Sequence, residues 1–243
     1  MKLLVFLLIP LTLFARPLNL NKIRYKTYFG KCPTKVVGSL TLKLVKLFEE
    51  GGSLKDIKNY LVEIKASEKY YLSNYEIEHN PLTGFIKFSY ECPEPLVSVQ
   101  IYKQNDDKSY AAILVEGGEL YDPNYEVLLR SDHKLTHQLP SLALPVEEID
   151  KRAQKDLAKL ISSLNLDFRK KISEIILDEK RNITLILSVS DRPVSVFMGT
   201  ELWDGKLSKL QKIINYMEKN KKIPVVINIT NIKKVVVKFS DTI

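Results

Sequence analysis

His79, His133 and His137 are the only histidines in the sequence. His133 and His137 stand four apart, a spacing that can bring two metal ligands to one helix face, but Lys134-Leu135-Thr136 between them has no clear helical periodicity. No further carboxylate or cysteine on a rigid element completes a metal set there. Ser162-Ser163 lacks the Gly-x-Ser-x-Gly turn that exposes a nucleophile. The carboxylate pairs Glu147-Glu148 and Asp178-Glu179 fall at a helix start and in a hairpin turn, where solvated acids are ordinary. Gly199 to Gly205 contains two glycines, yet Lys206 is followed by Leu207 rather than by Ser or Thr, so the stretch is not a phosphate loop. Met198 and Trp203 read as core or loop cover. What remains is thiol chemistry. Cys32 and Cys92 are outside any Cys-x-x-Cys spacing, and they either pair with each other or stay as two separate buried thiols. The reading is therefore of a protein that is not an enzyme and that holds no metal and no cofactor.

The elements that place the two cysteines follow from periodicity. Leu20 to Phe29 is rich in Tyr, Ile and Phe and reads as a strand ended by Gly30 and Pro33. Thr34 is an expected N-cap for a helix over Lys35 to Glu50, whose apolar residues are Val36, Leu40, Leu42, Leu44, Val45, Leu47 and Phe48, before Gly51-Gly52. Ser53 with Asp56 three residues on starts a second helix carrying Leu54, Ile57, Tyr60, Leu61 and Ile64. Tyr71 to Glu78 alternates as a strand, Asn80-Pro81-Leu82-Thr83-Gly84 reverses the chain, and Phe85 to Glu91 returns. With the first strand parallel to the last, Cys32 and Cys92 fall at the same end of neighbouring strands. A bond then requires Cα atoms within about 7 Å.

Beyond Pro93 and Pro95 the pattern becomes strand-rich. Val97 to Tyr102, Ala111 to Val115 and Leu120 to Leu129 read as short strands, with Gly117-Gly118 in a tight reversal. Pro140 to Pro145 reads as a rigid passage into a helix whose face is Ile149, Ala153, Leu157, Leu160 and Ile161. Strands follow at Lys171 to Leu177, Ile183 to Val189 and Val194 to Met198, then a helix from Lys206 to about Lys219. The closing stretch VVINITNIKKVVVKF, Val225 to Phe239, supplies a final pair of strands where a frayed tail would be ordinary.

A chain of 243 residues, 45% of them apolar, can bury one large or two modest cores. The net charge of +8 comes from lysines dispersed among glutamates, and no helix-turn-helix, zinc finger or aromatic RNA-binding signature accompanies it. The charge reads as a solvated basic surface, without nucleic acid as partner. At the start, Met1-Lys2 precedes an apolar run from Leu3 to Phe14 that ends at Ala15. That length suits the core of a signal peptide, whereas a membrane-spanning helix needs about 20 apolar residues. Residues 1–15 are accordingly expected to be a signal peptide or a short membrane anchor.

The residues "LVEGGELY" (Leu114 to Tyr121), "LPSLALP" (Leu139 to Pro145), "VFMGTELWDGKLSKLQKII" (Val196 to Ile214) and "VVINIT" resemble, in that order, the β domain of the FtsQ/DivIB bacterial cell-division proteins. Gly199, Lys206-Leu207 and Ile227-Asn228-Ile229 occupy the family's strand-ending glycine, helix-opening pair and returning strand. The β-α-α-β-β order before them resembles a POTRA domain. The resemblance implies an α+β protein with a POTRA-like domain over 16–94 and a mostly antiparallel β domain with packed helices over 95–243. It further implies an exported scaffold at the periplasmic face of the inner membrane, with FtsB- and FtsL-like small bitopic division proteins and other divisome components as partners. Their place of contact would be the last strand, Asn231, Lys233, Lys234, Val235, Val236, Val237, Lys238 and Phe239. A free edge offers backbone groups to an added strand. Two other readings compete. One is a POTRA-type periplasmic adaptor for envelope assembly or secretion, for which the lipid-facing strands of a barrel are not seen in the sequence. The other is an exported hydrolase of unrecognised type.

Overall fold

After β1 (Arg24–Tyr28) the chain tightens through Gly30, whose φ of 50° suits a residue without Cβ. It then enters α1 (Thr34–Glu49) and α2 (Leu54–Ala66), followed by β2 (Asn74–Asn80) and β3 (Phe85–Glu91). The computed structural model describes residues 23–66, 70–102, 109–145, 151–178 and 180–240, so the apolar leader lies outside them. Val37, Leu40, Thr41, Leu44 and Val45 recur on one face of α1 and are buried there. The start of α2 is a reciprocal cap: the Asp56 carboxylate accepts the Ser53 N–H at 2.8 Å, and Ser53 Oγ accepts the Asp56 N–H at 3.3 Å. The three strands form a sheet in the order β1-β3-β2, with β1 parallel to β3 and β2 antiparallel to it. Asn80 Oδ1 accepts the N–H groups of Leu82 and Thr83, which closes the β2–β3 turn.

Two boundaries here differ from the periodicity. Thr34 is the first residue of α1 rather than its cap, Pro33 holds the cap position without a side-chain bond, and the Thr34 N–H is instead taken by Asp132 Oδ2 at 2.6 Å. Tyr71 has φ 57° and so stands outside β2. Its ring turns inward against Tyr121 and Tyr125, with centroids 5.4 and 4.6 Å away.

The remainder contributes β4 (Pro95–Tyr102), β5 (Ser109–Val115), β6 (Leu120–Tyr121), α3 (Asn124–Ser131), β7 (Ser141–Pro145), α4 (Lys151–Ser162) and α5 (Leu166–Arg169). It continues through β8 (Ile172–Leu177), β9 (Ile183–Val189), β10 (Arg192–Gly199), α6 (Trp203–Lys219), β11 (Val226–Asn231) and β12 (Lys234–Lys238). Among the described residues nine strands join one sheet in the order β12-β11-β10-β9-β8-β7-β4-β5-β6. Its pairings are antiparallel except β4–β7, β7–β8 and β10–β11. The last two parallel steps need crossovers, which α4 with α5 and α6 supply. The protein is thus α+β, with a large, mostly antiparallel sheet.

Two segments overturn the expected elements. Leu120 to Leu129 is a strand for only two residues, because Asp122 Oδ1 accepts the Asn124 N–H at 2.7 Å and Pro123 sets the helical start of α3. Tyr125 and Leu129, four apart, then face the interior. Pro140 to Pro145 is not a passage into a helix but leads into β7, held between β4 and β8, with Pro140 O accepting the Ser98 N–H at 2.9 Å. In the expected helix after it, Ile149 lies outside the described residues, and α6 begins at Trp203, three residues before Lys206.

The core has two parts. One lies between the nine-stranded sheet and α4, α5 and α6, with Leu142, Ile161, Ile175, Leu185, Val196, Leu210 and Ile227 nearly sealed from solvent. The other is continuous from α1 and β3 to β5, β6 and α3, joining Leu40, Leu44 and Phe88 to Val115, Tyr121 and Tyr125. Tyr125, fully buried, donates its hydroxyl to Pro93 O at 2.5 Å. Burial raises its pKa well above the ordinary phenol value.

Candidate partner-binding edge

The β11–β12 hairpin turns on local side-chain bonds. Asn231 Oδ1 accepts the Lys233 N–H at 2.9 Å, and Lys209 Nζ on α6 donates to Ile232 O at 2.7 Å. Val226, Ile227 and Asn228 of β11 face Lys238, Val237 and Val236 of β12. Among the described residues β12 has no neighbour in the sheet on its other side, which leaves one row of backbone donors and acceptors open.

The strand alternates as its pleat requires. Val235 and Val237 pack toward the main core, while Lys234, Val236 and Lys238 are exposed on the opposite face. Phe239, just beyond the strand, is 41% exposed and Val236 53%. A groove of about 440 Å³ runs between β12 and α6, with Ile213, Met217, Val235 and Val237 as its apolar floor and Lys209, Lys212 and Tyr216 at its rim. Lys209, Lys212, Ile213, Tyr216 and Met217 were not read as site residues from the sequence. Their spacing of three and four marks one helix face, but only the fold sets that face beside a strand some twenty residues later.

The position of α6 is fixed at its start. Gly199 ends β10 with φ 73°, after a register shift between Phe197 and Gly199 against β9. Trp203 Nε1 donates back to Gly199 O at 2.9 Å. Lys206 is 3% exposed and donates through Nζ to Met198 O at 2.7 Å. Burial lowers the Lys206 pKa from the usual lysine range. The Lys206-Leu207 pair thus ties the helix to the end of β10, with Leu207 in the core.

Cys32 and Cys92 are joined in a disulfide with Cα atoms 5.0 Å apart, and both are buried. The histidines are dispersed. His79 lies edge-on to Phe48, with ring centroids 5.5 Å apart, His133 is exposed with φ 55°, and His137 is partly buried. Burial, then the charges of Arg169 and Lys170, lower the His137 pKa. Among the described residues no three His, Cys, Asp or Glu side chains converge as a metal set. Ser162, and Ser163 just past the end of α4, donate to the carbonyls of Ala158 and Leu160 in that helix. Asp178 accepts from Lys180 N and Asn182 N and organises the β8–β9 turn. Glu147, Glu148 and Glu179 lie outside the described residues. No described helix is long and apolar enough to cross a membrane.

Comparison with known proteins follows the same part of the chain. A family model described as "Cell division protein FtsQ/DivIB, C-terminal" matches residues 101–232, more than half of the chain. No curated protein matches. Among solved structures, the chain is similar to the major extracytoplasmic domain of the trans isomer of the bacterial cell division protein DivIB from Geobacillus stearothermophilus. That match has 17% identity and a TM-score of 0.35, and covers 54% of this chain and 98% of that chain.

Proposed function

This chain belongs to the FtsQ/DivIB family of cell-division proteins, and from that premise we propose a non-catalytic scaffold of the division machinery whose β12 edge takes up a strand from a partner. The observation that carries the reading is the place of β12 at the end of a nine-stranded sheet, paired among the described residues with β11 alone. An incoming extended segment satisfies the open backbone groups, while alternate side chains select it.

The site residues are Asn231, Lys233, Lys234, Val235, Val236, Val237, Lys238 and Phe239. Valine at three successive positions stiffens the extended backbone. The lysines select against self-pairing, because two copies of β12 paired antiparallel about Val236 would set Lys234 opposite Lys238 twice, and directly opposed like charges are destabilising. They favour an acidic segment, though each exposed ion pair contributes only about 0–1 kcal/mol. Phe239 supplies an aromatic anchor. The partners in this proposal are FtsB- and FtsL-like small bitopic division proteins. The chain would be exported to the periplasmic face of the inner membrane, anchored or released by residues 1–15, with a POTRA-like domain over 16–94 and the β domain over 95–243.

The test is Phe239→Ala combined with Lys238→Glu, with affinity for the extracytoplasmic segment of the FtsB-like partner measured by calorimetry. Capture is expected to weaken about tenfold or more, from loss of an aromatic hot spot, with the thermal midpoint of unfolding nearly unchanged. Wild-type affinity in that folded double variant would refute the reading.

A further inference from the structure

The turn after β1 is gripped by residues distant in sequence. Next to the disulfide, Lys31 Nζ meets Glu94 Oε2 at 3.2 Å, and Glu94 Oε1 meets Arg169 Nη1 of α5 at 2.7 Å. Lys134, in the segment after α3, donates to Cys32 O and also to Thr34 Oγ1 at 3.3 Å. Asp132 Oδ2 accepts the Thr34 N–H at 2.6 Å and so serves as the missing cap of α1, from almost one hundred residues away. Cys32, Thr34 and Glu94 therefore bond to the part of the chain that builds the large sheet, and Lys31 is tied to it through Glu94. Beneath them Tyr71, Tyr121 and Tyr125 pack together.

We propose that the Cys32–Cys92 disulfide is the latch of a rigid junction, which makes the three-stranded unit and the nine-stranded sheet one body and fixes the bearing of the β12 edge. Without the bond, the Gly30–Thr34 turn is held within its own unit by the Cys32 N–H on Phe29 O and by the start of α1. With it, the Cys32 carbonyl and Thr34 amide stay where Lys134 and Asp132 reach them. Arg169 depends on the same register: its Nε is buried without a partner among the described residues, and its Nη1 is held by Glu94. The junction lies at β4, β5 and β6, and β12 closes the opposite end of the sheet. With strands about 4.8 Å apart, the span from β6 to β12 is on the order of 38 Å, and a rigid junction carries the orientation of the first unit across it. The inference does not depend on what β12 binds.

Two measurements test it. Residual dipolar couplings of the oxidised protein are expected to fit one alignment tensor for both units, whereas Cys32→Ala/Cys92→Ala is expected to need two tensors of different magnitude. A folded variant that still fits one tensor would overturn the proposal. The second works on the intact disulfide and needs no cysteine variant to fold. Coupling between the latch and its contacts is reciprocal, so Asp132→Asn/Lys134→Met is expected to speed reduction by dithiothreitol at least tenfold. In that reaction the reagent closes to its cyclic disulfide as two electrons and two protons pass to Cys32 and Cys92. Since Cys32 is fully buried and Cys92 only 7% exposed, attack waits on opening of the junction. A rate equal to wild type would contradict the latch.

Discussion

Proline at Val237 separates the two sides of β12. Lys238 O accepts the Val225 N–H at 2.9 Å, so the backbone of Lys238 faces β11. In an antiparallel strand each residue directs its N–H and C=O to the same side, and successive residues alternate. Val236 therefore faces β11 with Lys238, while Val235 and Val237 face the open edge. Val237→Pro deletes an outward donor and sets a ring where an added strand would lie. One backbone hydrogen bond contributes about 0.5–1.5 kcal/mol net. Displacement of a second by the ring brings the loss to about 1–3 kcal/mol, which corresponds to a 5- to 150-fold rise in Kd. The fold itself tolerates the change, since edge strands accept proline where the N–H faces solvent, and the loss of valine packing against α6 costs about 1 kcal/mol. Val236→Pro is the control: it removes a donor engaged with β11 and is expected to detach the strand. Calorimetric titration with the FtsB-like extracytoplasmic segment, alongside thermal unfolding of both variants, gives the comparison. Unaltered affinity in Val237→Pro would refute strand addition, and an undisturbed hairpin in Val236→Pro would refute the assigned alternation.

Other perturbations report on the frame that holds the edge. Lys206→Met keeps the buried stem but loses the bond to Met198 O; urea unfolding is expected to show a loss of about 1 kcal/mol. Lys206→Ala, which also gives up about three buried methylenes, is expected to lose about 2–3 kcal/mol. Tyr125→Phe leaves Pro93 O without its donor and is expected to cost about 1–2 kcal/mol, constant across neutral and mildly alkaline pH because burial keeps that phenol protonated. The Asp132 carboxyl is held below its usual range, chiefly by the Thr34 N–H and then by the Thr34 side chain. Its contribution is present above the unfolded value of about 3.9 and is lost as pH falls through the lower folded value. Asp132→Asn should therefore flatten the acid limb of the urea midpoint plotted against pH.

What could be read from the sequence was local. The Ser53–Asp56 cap and the Asn80–Gly84 turn depend on residues within a few positions and formed as written, whereas the face of α1 did so in part: Leu40, Leu44 and Val45 are buried, but Leu42 is exposed and Val37 and Thr41 are buried instead. The strand character of Val235 to Val237 was equally plain. By contrast, Tyr125, Val127, Leu128 and Leu129 have strand-like composition, and their helix rests on Asp122 and Pro123 before it and on the tyrosine cluster it fills. The prolines around Leu139 to Pro145 suggested rigidity, whereas pairing with β4 and β8 made the segment a strand. Nothing local announced that Asp132 caps a helix a hundred residues earlier, or that Tyr216 and Met217 border β12. The family resemblance rested on spaced segments such as Gly199 and Lys206-Leu207, whose bonds to Trp203 and Met198 show what that spacing holds in place.

Amide hydrogen exchange, resolved by residue along β12 with and without the FtsB-like extracytoplasmic segment, reads the open edge most directly. Before addition, the Val236 and Lys238 amides should be protected by β11 while those of Val235 and Val237 exchange freely. On addition, new protection should arise at Val235 and Val237. Saturating partner that leaves both exchanging at their free rates would contradict strand addition at this edge.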